Sequence, residues 1–482
     1  MKNEIIRKSL KKVIFKNLTS IENVLSVTFV GSFVDRDDLY GISDIDTVVV
    51  CDYLTKDVFN RCIEAVGSID LSQNGLDNYL LKINSTFGPL KFDEPNLVVI
   101  HLMVYDVQSH QNHVILSPFT CLDWERSESF VGEKLGQIFP VGRLQPRDFF
   151  EARRGIENYM KDILEGSISY RKYNFKKNLV LEEKLSQPLN ERHRGEYAFH
   201  IVRNLVLNAM KLIKKKNSLF SEIEIERVIR DLLGEGSENH IEKFKIISKL
   251  KHNRNTQYPE WVIDWITDFV KEFQNCFLNL WNNAKTVYFV RHAETSLNDG
   301  TFLGTFRDPE VEAAFLPKSL ELNIETVYSS PLRRCLQTAR AFCPDIGVNE
   351  SELLTEINYG SAEGMTFHEF YEKYPGIVSA WKKGEDPHFP GGGENSSRVF
   401  ARGQKFLKTL SINPHSKILV VSHNVFLRCL IGDAHEIPFQ DWFRLKIPHS
   451  VLFEFKILEG NYYPNIPRTL LGETFSNLQW ET

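Results

Sequence analysis

Cysteine is scarce in this chain of 482 residues: there are seven, an odd number, and no Cys-x-x-Cys pair. That argues against a disulfide framework or a zinc ribbon and fits a reducing cytoplasm. No run of about 18 apolar residues occurs, so a membrane-spanning helix is not expected. The Lys-rich opening, Met1–Asn17, has no long apolar core and reads as an amphipathic helix rather than a signal peptide. Strong charge of one sign is also missing. A formal net charge of -5 gives no bulk attraction to nucleic acid, although a local basic pocket remains compatible with it. Internal repeats and low-complexity tracts are absent. What remains is an ordinary globular balance, 42% hydrophobic and 25% charged, which supports real cores. The length suggests roughly three domains of about 150 residues each.

The chemistry concentrates first at Thr286–Asn298, where a run of β-formers ends in Arg291 and His292. A short apolar run with polar residues at its carboxyl end is the pattern of a buried parallel strand. Two more strands are expected to end in the same manner. Ile324–Tyr328 leads into Ser329-Ser330-Pro331-Leu332-Arg333-Arg334, and Lys417–Val421 leads into Ser422-His423. Carboxyl ends of parallel strands meet at one edge of the sheet, where ligands bind. Cations gathered there repel one another unless an anion joins them, and a phosphoryl group matches the bidentate geometry of Arg.

These stretches, together with Glu356 seven residues before Glu363-Gly364, resemble the histidine phosphatase superfamily, the phosphoglycerate mutase-like fold. Its motifs occur in order from Thr286 to about Tyr463. The resemblance implies that His292 is a nucleophile forming a phosphohistidine, and that Arg291, Arg334 and a charged His423 clamp the phosphoryl oxygens. It also implies that Glu356 is the general acid and then the base for water, that Asn298 adds a hydrogen bond to the phosphate, and that no metal is needed. Neighbouring positive charge would keep His292 neutral and able to attack. The chain departs from the family pattern in having Ala293 where Gly follows the histidine. It also has little room between Asp308 and Ile324 and one extra Gly in Pro390–Asn395. Glu294, Glu363, His368, His388 and His435 are taken as structural or rim residues. The absence of a long insertion near the site favours phosphatase over mutase-type phosphotransfer.

A second centre lies near the start. Val24–Val30 reads as a strand running into Gly31-Ser32, and Ser43-Asp44-Ile45-Asp46 follows eleven residues later. Residues two apart on a strand share a face, so Asp44 and Asp46 point together and repel unless a cation intervenes. Hard oxygen donors of this kind suit Mg²⁺ bridging to phosphates. The pattern resembles the nucleotidyltransferase superfamily related to DNA polymerase beta. The resemblance implies that Gly31 and Ser32 hold a nucleoside triphosphate and that Asp44 and Asp46 bind the catalytic metal. A third carboxylate is usual in that family, and Asp93, His101 and Asp106 are the candidates for its position. Without one, the resemblance implies a nucleotide-binding or degenerate module.

Between the two centres, helical periodicity runs through Phe149–Leu164, Glu196–Lys216, Leu219–Leu233, Glu238–His252 and Pro259–Trp281. The expectation is an α/β multidomain chain. Residues 1–143 would form a mixed-sheet nucleotidyltransferase-like domain, 144–284 an all-α domain, and 285–482 a three-layer α/β/α histidine phosphatase domain. The expected partners are a small-molecule phosphate ester and a nucleoside triphosphate.

Overall fold

The computed structural model describes residues 2–35, 44–88, 92, 96–176, 179–214, 220–253, 255–437, 439–458 and 460–466. The chain divides into two compact units, one of Met1–Leu144 with Asp148–Leu278, the other of Gln145–Arg147 with Asn279–Thr482.

The first unit holds a mixed sheet of β1 (Val24–Val30), β2 (Ile45–Cys51), β3 (Leu80–Asn84), β4 (Leu97–Asp106) and β5 (Phe130–Gly132), in the order β3-β4-β2-β1-β5. β3, β4 and β2 run parallel, while β1 is antiparallel to both β2 and β5. The Lys-rich opening is a helix, Lys2–Thr19, whose Ile6, Leu10, Ile14 and Leu18 recur at helical spacing and are buried against the sheet. Five long helices, Pro146–Glu165, Glu191–Lys214, Glu222–Leu233, Ser237–His252 and Val262–Asn282, occupy the regions where the 3.6 period was read.

The stretch expected to be all-α is not. β6 (Ser167–Lys176) and β7 (Leu179–Pro188) form an antiparallel hairpin with one-to-one pairing from Ser167↔Pro188 to Lys176↔Leu179. Its physical reason is visible in the residues. Ile168, Tyr170, Tyr173 and Phe175 are β-formers, and Gly166 takes a positive φ of 67° that stops the preceding helix. Tyr173 and Val180 then pack on the core of the mixed sheet, and Phe87 bridges to Arg171.

The second unit is a six-stranded sheet of β8 (Lys285–Arg291), β9 (Thr326–Ser329), β10 (Val348–Glu350), β11 (Lys417–Ser422), β12 (Leu452–Leu458) and β13 (Asn461–Pro464). The order is β10-β9-β11-β8-β12-β13. The first four are parallel; β12 and β13 are antiparallel additions at one edge. Side chains alternate between two buried faces, as a sheet covered on both sides requires. Val287, Phe289, Ile418 and Val420 join a core with Phe406, Leu410, Phe426 and Leu430 from the helices Ser396–Ile412 and Asn424–Ala434. Val290, Val327, Leu419 and Val421 pack with Cys335, Ala339 and Phe342 of the helix Arg333–Phe342 on the other face. This is the three-layer α/β/α arrangement. Between Asp308 and Ile324 there is no long helix: the segment holds the bridge of Val311 to Thr295 and the short 3-10 turn Ala313–Phe315.

Candidate active site

Register places the functional ends side by side. Ser422 pairs with Arg291 and Val421 with Ser329, so β8, β11 and β9 end level with one another. His292 and His423, the next residues along, have ring centroids 5.2 Å apart. The backbone N–H of His292 donates to Ser422 O at 3.0 Å, which locks the two strand ends together.

His292 is 3% exposed. Its Nδ1 lies 2.7 Å from the carbonyl oxygen of Ala293. A carbonyl only accepts, so Nδ1 carries the proton and Nε2 holds the lone pair. Burial, then the charges of Arg334 and Arg291, push its pKa well below the ordinary histidine value and keep the ring neutral. Ala293 itself is fully buried, and its N–H donates to Thr338 Oγ1 at 2.9 Å.

Arg334 is wholly buried in the first turn of its helix. Its guanidinium donates to Gly304 O at 2.7 Å, Arg307 O at 3.1 Å and Asp308 Oδ1 at 3.1 Å. Asp308 also receives the backbone N–H of Arg333, at 2.6 Å, and so ties the helix start to the 304–308 loop. Arg333, by contrast, is exposed and pairs with Glu310. Gly304 sits where a Cβ would come within 3.0 Å of Ile357 O and 2.9 Å of Glu363 Oε2, so the loop can approach Arg334 only with glycine there. Arg291 donates to Ile447 O at 2.9 Å, and burial pulls its pKa down to about 10.

Glu356 is 4% exposed. Its Oε1 accepts the backbone N–H groups of Ile357 at 2.9 Å and Val425 at 3.1 Å, while Oε2 has one longer contact, 3.3 Å, with Val425 N–H. Oε2 is therefore the oxygen with spare hydrogen-bonding capacity. Asn298 is spent partly on its own loop, where Oδ1 accepts from Thr295 N–H and Thr295 Oγ1–H at 2.8 and 3.0 Å. Only its amide nitrogen is left to meet a phosphate.

His423 corrects one expectation. It is fully buried, and its Nε2 lies 2.8 Å from Ser330 Oγ. Burial first, then Arg334 and His292, push its pKa well below the ordinary value, so the ring is neutral and does not supply the charge assigned to it. The depression of the His292 pKa comes from burial and the two arginines.

In the first unit, the ligand atoms of Asp44, Asp46 and His101 lie within 4.8 Å of one another. Asp46 and His101 are direct partners across β2 and β4. His101 Nδ1 is 2.8 Å from Asp46 Oδ1, and its Nε2 is 2.8 Å from Thr86 O. Burial opposes charge on the ring, but the hydrogen bond to Asp46 and the charges of Asp46 and Asp44 outweigh it and raise the pKa. Gly31, at φ 69°, lies so close to Asp46 that a Cβ would sit 2.6 Å from Oδ2. Ser32 opens the short helix Ser32–Asp35 immediately after β1. Gly31 is thus brought to the acidic pair. Of the three candidates for the further ligand, His101 is the one at the cluster. Asp106 caps the helix Val107–Leu116, its Oδ1 accepting Ser109 N–H at 2.7 Å. Asp93 lies outside the described residues.

Residues 287–463 match the histidine phosphatase superfamily (branch 1). Among curated proteins, the 6-phosphofructo-2-kinase/fructose-2,6-bisphosphatase of Caenorhabditis elegans is 25% identical over 186 residues, covering 36% of this chain and 40% of that protein. The 6-phosphofructo-2-kinase/fructose-2,6-bisphosphatase 1 of Mus musculus is 24% identical over 188 residues, covering 36% of this chain and 38% of that protein. The chain thus spans well under half the length of these relatives. A phosphoserine phosphatase of Entamoeba histolytica, solved with 3-phosphoglyceric acid, is 25% identical, with a TM-score of 0.34. That comparison covers 38% of this chain and 95% of the other.

Within the matched stretch, the sequence reading missed three supporting residues, His449, Arg402 and Arg428. His449 Nδ1–H donates to His292 O at 2.7 Å, and the two ring centroids are 5.3 Å apart. Arg402 donates to Leu353 O and Glu356 O, holding the Glu356 loop from behind. Glu363, taken as a structural or rim residue, has the structural role: it accepts Phe306 and Arg307 N–H and fixes the loop that holds Arg334. Arg428, one helical turn after Asn424, donates to Leu445 O at 2.7 Å, and burial lowers its pKa. His449, Arg402 and Arg428 stand outside the short motifs, in segments whose sequence carries no chemical pattern of its own.

Proposed function

We propose that the second unit hydrolyses phosphomonoesters through a phosphohistidine on His292. The observation that carries the reading is a neutral, tautomer-fixed histidine buried beside two arginines at the carboxyl edge of a parallel sheet. The phosphate dianion lies against Arg291 and Arg334, whose charges meet the negative charge spread over the phosphoryl oxygens. Nε2 of His292 attacks phosphorus in line, and the leaving oxygen takes a proton from Glu356. Water then cleaves the P–N bond, with Glu356 accepting its proton. Ser330 keeps His423 oriented, and a bound dianion favours protonation of this ring, giving it the clamping role only when substrate is present. The relatives named as fructose-2,6-bisphosphatases make sugar bisphosphates the first substrate class to try. Phosphate release from p-nitrophenyl phosphate tests the reading: unchanged turnover in His292→Ala removes it.

A second activity is favoured by one observation, the clustering of Asp44, Asp46 and His101 beside Gly31. On this reading the first unit transfers a nucleotidyl group to a small acceptor. The donor set, two carboxylates and an imidazole within 4.8 Å, fits a divalent ion, and Asp44 and Asp46 would hold it. Such an ion supplies charge neutralisation at the triphosphate. Gly31 gives the backbone its close approach, and Ser32 offers a hydroxyl and an N–H to the phosphate tail. Pyrophosphate release from a nucleoside triphosphate in the presence of acceptor tests it. Nucleotide binding without release would assign this unit a sensing role only.

A further inference from the structure

We propose that His101 is a direct ligand of the divalent ion held by Asp44 and Asp46, and that its nitrogen turns the site from Mg²⁺ toward a borderline ion such as Co²⁺ or Zn²⁺. The proposal rests on reading this cluster as a metal site and goes beyond it to the identity of the ion.

Three features of the geometry support it. First, the separation fits. His101 Nδ1 now hydrogen-bonds Asp46 Oδ1 at 2.8 Å, and the ligand atoms of Asp44, Asp46 and His101 all lie within 4.8 Å of one another, so an ion that takes the place of the Nδ1 proton meets all three. Second, the ring is oriented as a metal-bound imidazole is. Its other nitrogen, Nε2, donates to the backbone carbonyl of Thr86 at 2.8 Å, which leaves Nδ1 as the atom presented to the carboxylates.

Third, the support continues outward. Asn84 is buried, pairs with His101 across β3 and β4, and accepts both Thr86 N–H at 3.1 Å and Thr86 Oγ1–H at 2.7 Å. The carbonyl that aims the imidazole is therefore itself held in place. On the other side, Gly31 leaves room for Asp46 Oδ2 where a Cβ would sit 2.6 Å from it. An imidazole is a poor donor for Mg²⁺, which prefers an all-oxygen shell, but a good one for the later divalent ions.

The experiment loads the full-length protein with Mn²⁺ in the absence of nucleotide and records pulsed EPR for coupling to a directly bound ¹⁴N. Isothermal titrations with Mg²⁺ and Zn²⁺ accompany it. The expected result is a ¹⁴N coupling in the wild type that is absent in His101→Gln, together with a fall of at least tenfold in the Zn²⁺/Mg²⁺ affinity ratio in His101→Asp. Bound Mn²⁺ without ¹⁴N coupling, or an affinity ratio unmoved by His101→Asp, would overturn the ligand role while leaving a metal site at the two aspartates. Absence of any divalent binding to the wild type would overturn both. The wild-type spectrum carries the decision even if a variant folds poorly.

Discussion

His292 donates its Nδ1 proton to the carbonyl oxygen of Ala293, its own chain neighbour, at 2.7 Å. Because that bond is local, the tautomer is set by the backbone conformation after β8 and needs no carboxylate partner. His449 secures the same segment by bonding to His292 O. The nucleophile is thus aimed by main-chain contacts, and the charged groups around it are left for the phosphate.

Glu356 offers a test of the leaving-group step. Glu356→Gln keeps the size of the side chain but cannot deliver the proton. Hydrolysis of alkyl phosphates is expected to fall by about 10²–10⁴-fold, the range general acids contribute. p-Nitrophenyl phosphate, whose leaving group needs little protonation, should lose far less. Steady-state rates on both substrates decide it, and equal losses would remove the acid role.

Arg334 is bound through three separate acceptors, Gly304 O, Arg307 O and Asp308. A lysine cannot span them while also meeting a phosphate in fork geometry. Arg334→Lys is therefore expected to lower kcat by about 10²–10³-fold, the size of a lost charge-stabilising donor. A variant with wild-type kcat would show that Arg334 only braces the loop.

The two buried histidines give a pH dependence with a definite sign. Both have folded pKa values pushed well below normal, His292 and His423 alike first by burial and then by Arg334. The unfolded chain takes up protons on these rings as pH falls through about 6.5, and the folded chain does not. Their contribution is therefore fully present above that pH and is lost as pH falls toward the folded values. Chemical denaturation of the second unit should show a lower midpoint at pH of about 5.5 than at about 7.5. Over the same interval kcat/KM should show no inflection from His292 once the substrate's own ionisation near pH of about 6 is removed.

The first unit should be separable from the second. Asp44→Asn is expected to abolish pyrophosphate release from a nucleoside triphosphate and to leave p-nitrophenyl phosphate hydrolysis at wild-type rate. A joint loss would point to misfolding or to coupling of the two activities.

The strand ends were legible in the sequence for a simple reason. Runs such as Ile418–Val421 are apolar throughout because both sheet faces are covered, and the chemistry stands where each run stops. Arg334 facing inward and Arg333 outward likewise follows from adjacent positions on a helix pointing about 100° apart. The hairpin β6–β7 was missed because its alternation is broken by exposed charged pairs, Arg171–Glu182 and Lys172–Glu183, which stabilise it across the strands without an apolar pattern. Asp106 was indistinguishable from a ligand by type, yet Asp-x-x-Ser before a helix is also a cap, and capping is what it does. His449, Arg402 and Arg428 act through backbone carbonyls far away in sequence, which no local pattern encodes.

The account turns on a phosphoryl group carried by His292. Mixing excess enzyme with p-nitrophenyl phosphate, quenching in alkali within the first turnover and mapping the modified peptide measures this directly. The predicted result is an alkali-stable, acid-labile phosphoryl group on His292 that appears before free phosphate and is absent in His292→Ala. Phosphate release at the full rate with no label on His292 would contradict it.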